Sequence, residues 1–147
     1  MKPLFVDTAG WMACADAADP AHGAACAARD ESLEAGRVLV TSDYIADETL
    51  TLIRLRIGLP AAEAWWKQVE GSPRVRWEWI DPDRAEKARH AFFRHRDKRW
   101  SFTDCTSLVV MRERRLREAL TTDRHFVQMG FQVLPRTAPG RRARGIP

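Results

Sequence analysis

The stretch Leu4-Phe5-Val6-Asp7-Thr8 constrains this chain more than any other. Three apolar residues run straight into an acid and a hydroxyl, only seven residues from the first. A short apolar run of this kind reads as a strand buried on both faces, the pattern of strands inside a parallel sheet. A carboxylate at the end of such a strand is costly to bury unless something pairs with it. The rest of the chain has to supply a sheet around this strand and a partner for Asp7.

The sheet follows from what comes next. Val38-Leu39-Val40-Thr41 is a second buried run, Ala119-Leu120-Thr121-Thr122 a short third and Phe131-Gln132-Val133-Leu134 a last one. Val75-Arg76-Trp77-Glu78-Trp79-Ile80 alternates, as a strand nearer a sheet edge does. Helical segments lie between them. Thr8 to about Asp16 comes first, then Ala21–Ala35 behind Asp19-Pro20, ended by Gly36. Ser42 can cap a helix from Asp43 to about Ile57, closed by Gly58, and Pro60 opens another that stops at Gly71-Ser72-Pro73. Further helices are predicted from Asp81-Pro82 to about Arg96, from Ser101 to about Arg117, and as a turn or two from Asp123 to Met129. Strands alternating with helices imply βαβ units, a parallel sheet and right-handed crossovers, hence an α/β fold. In open sheets of that kind ligands gather beyond the carboxyl ends of the strands. Asp7 and Asp123 both stand at such ends.

Composition narrows the function classes. At 147 residues the chain is long enough for one domain with a real core. No run approaches eighteen apolar residues, and the start lacks a signal-peptide pattern, so a cytosolic protein without membrane contact is expected. Cys14, Cys26 and Cys105 show neither CxxC nor Cys/His ligand spacing, which argues against a disulfide framework and a zinc site. Residues 136–147 carry Arg136, Arg141, Arg142 and Arg144 and no acid, and these account for the whole net charge of +4. The expected organisation is a domain over 1–135 and a flexible basic Arg/Pro/Gly tail over 136–147.

Three more acids are candidates to meet Asp7. Positions 45, 48, 49, 52 and 53 share one helix side and read Ile, Glu, Thr, Leu, Ile, so Glu48 interrupts an apolar stripe. Its neighbour Asp47 lies on a more solvent-like face with Asp43, Leu50 and Arg54, although which of the two acids points inward stays open. Asp104 follows Ser101 by three residues, a capping-box spacing that alone explains it, and Asp123 taken alone reads as a simple N-cap. Together, two acids at strand ends, one in an apolar stripe and one at a helix start converge on one end of the sheet. Four such carboxylates cannot all stay ionised without a counter-charge. Hard oxygen donors suit Mg²⁺ or Mn²⁺, which complete their shells with water and substrate phosphate. Neither a P-loop nor a GxGxxG motif is present. An acidic metal cage with open positions points to metal-assisted phosphodiester cleavage.

Four segments in order carry a family resemblance: Phe5-Val6-Asp7-Thr8, Thr41 through Leu52, Ser101-Phe102-Thr103-Asp104-Cys105-Thr106-Ser107, and Leu120-Thr121-Thr122-Asp123-Arg124-His125-Phe126. Over residues 1–135 the chain resembles the PIN-domain ribonucleases, in particular the VapC-type toxins of bacterial toxin–antitoxin pairs. The resemblance implies a three-layer α/β/α sandwich around a mainly parallel sheet. It implies Mg²⁺-dependent endoribonuclease activity, a homodimer, and inhibition by a small antitoxin protein. It matches Asp7, Glu48, Asp104 and Asp123 to the family's acids, as catalytic and metal-holding residues. Thr8, Ser101 and Thr103 fall where hydroxyls orient those acids. Lys98 and Arg99, just ahead of the Asp104 helix, are candidates to attract the RNA backbone. His125 is read as a helix residue and not as a general base. The rival reading is a non-catalytic PIN-like module that binds RNA or protein, which missing acids would favour; all four are present. An aspartate-nucleophile phosphotransferase would want an acid at position 9, which is Ala9.

Overall fold

The architecture was obtained as a computed structural model, which describes residues 1–136. Apart from Arg136, the basic tail expected over 136–147 lies outside the described residues. The elements run β1 (Leu4–Val6), α1 (Thr8–Ala15), α2 (His22–Glu34), β2 (Leu39–Ser42), α3 (Asp43–Arg56), α4 (Leu59–Val69) and β3 (Val75–Glu78). There follow α5 (Pro82–Arg94), α6 (Phe102–Glu113), β4 (Glu118–Leu120), α7 (His125–Gln128) and β5 (Gln132–Leu134). The strands form one five-stranded sheet in the order β3-β2-β1-β4-β5, and every pairing is parallel.

The apolar run that opens the chain is the middle strand. Leu4, Phe5 and Val6 are fully buried, and Phe5 pairs with Val40 on one side and Ala119 on the other. The alternating strand, β3, is at the sheet edge and stops at Glu78. Chain order moves outward from β1 through β2 to β3, then crosses back to β4 and β5. Right-handed crossovers therefore stack α1–α4 on one face and α5–α7 on the other. Most helix contacts lie within these layers, pairing α1 with α2 and α3, α3 with α4, and α5 with α6, and α3 also meets α6 of the other layer. The result is the three-layer α/β/α arrangement. No helix among the described residues is long and apolar enough to cross a membrane. The three cysteines are free.

Two local features fix the sheet's working end. Gly10, on the first turns of α1, lies against the end of β4. A Cβ added there would stand 2.1 Å from the Leu120 carbonyl oxygen, so only glycine lets α1 approach. At the β3 end, the buried Glu78 takes ion pairs from Arg84 of α5 (3.1 Å) and from Arg114 at the close of α6. Arg84 also reaches Glu113 at 2.9 Å. Burial alone would push the Glu78 carboxyl upward, but Arg114 and Arg84 together hold it below its usual range.

Several predicted boundaries shift by a residue or two, and the end of α6 shifts furthest. The helix expected to run to about Arg117 ends at Glu113. Arg115 adopts a left-handed φ of 55°, the Leu116 N–H donates to the Met111 carbonyl at 2.8 Å, and the Arg115 N–H donates to that of Arg112. This is a Schellman ending with arginine at the position glycine usually fills, so no glycine marks it in the sequence.

Gly10→Ala is expected to cost about 2–3 kcal/mol by overpacking against the Leu120 carbonyl, read as a lowered midpoint in urea. Glu78→Gln should destabilise at pH 7 and matter least in acid. The ionised Glu78 contributes stability above its unfolded value of 4.5 and loses it as pH falls through the lower folded value, so wild-type and variant stability curves should converge below that range.

Candidate metal centre

The sheet's strand order reverses at β1, where β2 lies on one side and β4 on the other, so a crevice opens beyond their carboxyl ends. A cleft of about 310 Å³ occupies that position. Asp7, Glu48, Asp104 and Asp123 all line it, together with Thr8, Ser101, Arg56 and His125. A larger hollow of about 550 Å³, between α1, α2 and α4, is lined by Trp11, Leu33, Trp65 and Val69 and by no acid, and so offers none of this chemistry.

Each acid is held by the local structure that its segment dictates. Asp7 follows β1, and its carbonyl accepts the Trp11 N–H at the start of α1. Its side chain is 3 % exposed, and its Oδ2 accepts the Thr121 hydroxyl at 3.1 Å. Burial, followed by the nearby Asp104 charge, pushes the Asp7 carboxyl up to about 7, against smaller opposing contributions from the Thr8 N–H and the Thr121 hydroxyl. Glu48 is carried in by α3, which begins where the Ser42 hydroxyl accepts the Ile45 N–H. Ile45, Thr49 and Ile53 bury one stripe of α3, Glu48 and Leu52 flank it beside the cleft, and Asp47 is exposed and outside the lining.

Asp104 closes the capping box with Ser101. Its N–H donates to Ser101 Oγ at 3.0 Å, and its Oδ2 accepts the Ser101 N–H at 2.9 Å. The same Oδ2 meets His125 Nδ1 at 2.7 Å. An ionised carboxylate can only accept, so this contact is a hydrogen bond in the tautomer with the proton on Nδ1. Asp123 turns the chain after β4: its N–H donates to the Thr121 hydroxyl at 2.9 Å, and its Oδ1 accepts the His125 N–H at 2.9 Å. The Thr121 hydroxyl thus accepts from Asp123 and donates to Asp7, tying the two strand-end acids together.

The remaining sequence candidates fall in different places. Ser101 is in the capping box. Thr8 Oγ1 is buried at the cleft with no hydrogen-bond partner among the described residues. Thr103 offers its carbonyl to the Thr106 hydroxyl and does not line the cleft. Lys98 pairs with Asp97 at 3.2 Å, and Arg99 is exposed; neither lines the cleft. Trp100 is core, donating its ring N–H to Gln128. Three charged or titratable residues that line the cleft were given no role there from sequence, His125, Arg56 and Asp19, and neither was Thr121, which bonds to Asp7 and Asp123. His125 is the first residue of α7, and its ring faces Asp104 and Asp123. The available signal was its place two residues after Asp123. Arg56 stands eight residues after Glu48, two helical turns along the same face.

A divalent ion fits this donor set. One ligand atom each from Asp104, Asp123 and His125 lies within 4.8 Å of the other two. Asp7 lacks a counter-charge that a cation would supply, and the Thr8 hydroxyl lacks a partner among the described residues that an ion or its water could provide.

The fold and these residues have relatives. The family model described as the PIN domain matches residues 4–132. The chain is 36 % identical over 130 residues to the 23S rRNA-specific endonuclease VapC20 of Mycobacterium tuberculosis, covering 87 % of this chain and 95 % of that protein. It is 32 % identical over 126 residues to ribonuclease VapC26 of the same species, covering 84 % and 89 %. The crystal structure of M. tuberculosis VapC20, titled as a sarcin-ricin loop cleaving toxin, superimposes with a TM-score of 0.77 at 35 % identity over 87 % of this chain and 95 % of that one. A parallel sheet with acids at its carboxyl edge, matched in sequence along nearly its whole described length, makes this chain a member of the PIN-domain family in its VapC branch.

Proposed function

We propose that this protein is a divalent-metal-dependent endoribonuclease and the toxin of a toxin–antitoxin pair. The observation that carries the reading is the gathering of Asp7, Glu48, Asp104 and Asp123 around one cleft at the switch point of the sheet. These four acids would hold Mg²⁺, or Mn²⁺ in its place. A bound ion supplies Lewis acidity to the scissile phosphate and a water of lowered pKa. The chain's own residues prepare that chemistry. Thr121 holds Asp7 against Asp123. The Ser101 capping box fixes the Asp104 carboxylate. Glu48, on α3, either completes the metal cage or orients the attacking water. Thr8 presents an unpartnered hydroxyl to the same cleft, whereas Thr103, expected to orient an acid, does not line it. Arg56 at the cleft, with Lys98 and Arg99 farther out, would draw the phosphate backbone toward an otherwise acidic mouth.

The VapC relationship supports the remaining assignments: an RNA substrate, a small antitoxin partner, a homodimer and a cytoplasmic site of action. Identity to a 23S rRNA-specific endonuclease makes ribosomal RNA the first substrate to try. The rival, a PIN-like module that only binds, would need a dismantled acid cluster, and all four acids are present.

Cleavage of ribosomal RNA should require added Mg²⁺ or Mn²⁺, stop in EDTA, and fall by at least about a hundredfold in Asp7→Asn and in Asp104→Asn. Turnover that persists in EDTA or in both variants would refute the metal-nuclease reading. Protons and metal compete for Asp7, so metal-supported cleavage should climb as pH rises through about 7. The metal-free protein should show the opposite trend in stability. The unfolded Asp7 ionises from its ordinary 3.8 while the folded one resists until about 7, so stability drops across that interval. Asp7→Asn should therefore raise the melting temperature of the metal-free protein more at pH 8 than at pH 5.

A further inference from the structure

We infer that His125 is itself a metal ligand, and that its nitrogen biases the centre toward Mn²⁺ over Mg²⁺. The inference rests on the metal-nuclease reading above and concerns a residue outside the four acids. Of the four histidines in the chain, His125 is the one that lines the cleft. Its Nδ1 lies 2.7 Å from Asp104 Oδ2 and 3.2 Å from Asp123 Oδ1. Neighbouring ligands of a six-coordinate ion, at metal–ligand distances of about 2.1 Å, stand about 3 Å apart, so these donors are already spaced as adjacent corners of one coordination shell. The ring is anchored for this: the His125 N–H donates to Asp123 at 2.9 Å, which starts α7 and sets the direction of the side chain.

An independent feature of the same cleft points to a ligand there. The Thr8 hydroxyl is buried against it with no partner among the described residues, on a residue only 4 % exposed. The chemistry of the donor set then selects the ion. Carboxylates and hydroxyls suit Mg²⁺ and Mn²⁺ alike, whereas imidazole favours the transition ion. The ring ligates as neutral imidazole, with Nδ1 unprotonated toward the ion and the ring's one proton on Nε2.

The test is pulsed electron paramagnetic resonance of Mn²⁺ bound to the full chain, with metal affinities measured by titration calorimetry. Wild type should show ¹⁴N coupling of a directly bound imidazole, replaced by ¹⁵N coupling when the protein is made with ¹⁵N-histidine. That measurement needs no substitution, so it stands even if a variant folds poorly. His125→Asn should lose the coupling and at least about tenfold in Mn²⁺ affinity, with little change for Mg²⁺. Mn²⁺ bound in a manner sensitive to Asp104→Asn but without histidine coupling would overturn the inference and leave the nuclease reading intact. Failure of wild type to bind either ion, or binding indifferent to Asp104→Asn, would overturn both.

Discussion

Holding the Asp7 carboxyl out of water at the end of the central strand is the constraint on which the rest depends. The strand cannot move outward, because β2 and β4 pair with it on both sides and its three residues are fully buried. The acid that ends it is thereby fixed in a place where ionisation is disfavoured. A protein selected for stability alone would put an apolar residue or an asparagine there. This one surrounds the acid with further acids, the arrangement least able to relieve it without a cation. On the proposed metal-nuclease reading the strain is readiness: the site would be assembled before an ion arrives, and binding would remove repulsion instead of creating contacts from nothing.

The other acids are held by ordinary devices of local structure, each serving twice. Asp104 caps its own helix through Ser101, and the same carboxylate faces the cleft. Asp123 makes the turn that starts α7 while presenting its side chain beside His125. Such economy explains why the acids can be rigid without a dedicated scaffold. It also means that a substitution at either position disturbs a helix start as well as the site, so loss of activity at Asp104 or Asp123 has to be read beside a measurement of folding.

Much of this was legible in the sequence because the periodicities are unambiguous. The Leu4–Asp7 run announced a buried parallel strand with an acid at its end, and the α3 stripe favoured Glu48 over Asp47 without deciding between them, while Glu48 is the one that lines the cleft. The alternation of Val75–Ile80 foretold an edge strand. What was not legible depended on single side chains acting at a distance. Thr121 looks like any hydroxyl at a strand end until the parallel register brings it to Asp7. His125 sits in a four-residue helix too short to show a face, so its direction is set by the Asp123 turn and not by a pattern. The early end of α6 was hidden because arginine, not glycine, takes the left-handed position at residue 115. Asp104 shows the limit differently: its capping reading and its cleft reading were weighed against each other, and both hold.

The bond between Thr121 and Asp7 joins residues 114 positions apart. During synthesis the chain emerges from its N-terminus, so Asp7, Glu48 and Asp104 all exist before β4 has been made. A nascent chain at that stage has no Thr121 to hold Asp7, no Asp123, no His125, and a central strand with one side unpaired. The cleft is therefore a late product of translation. Its assembly is tied to the last strands of the sheet, and an unfinished or truncated chain carries most of the acids without a site in which to use them.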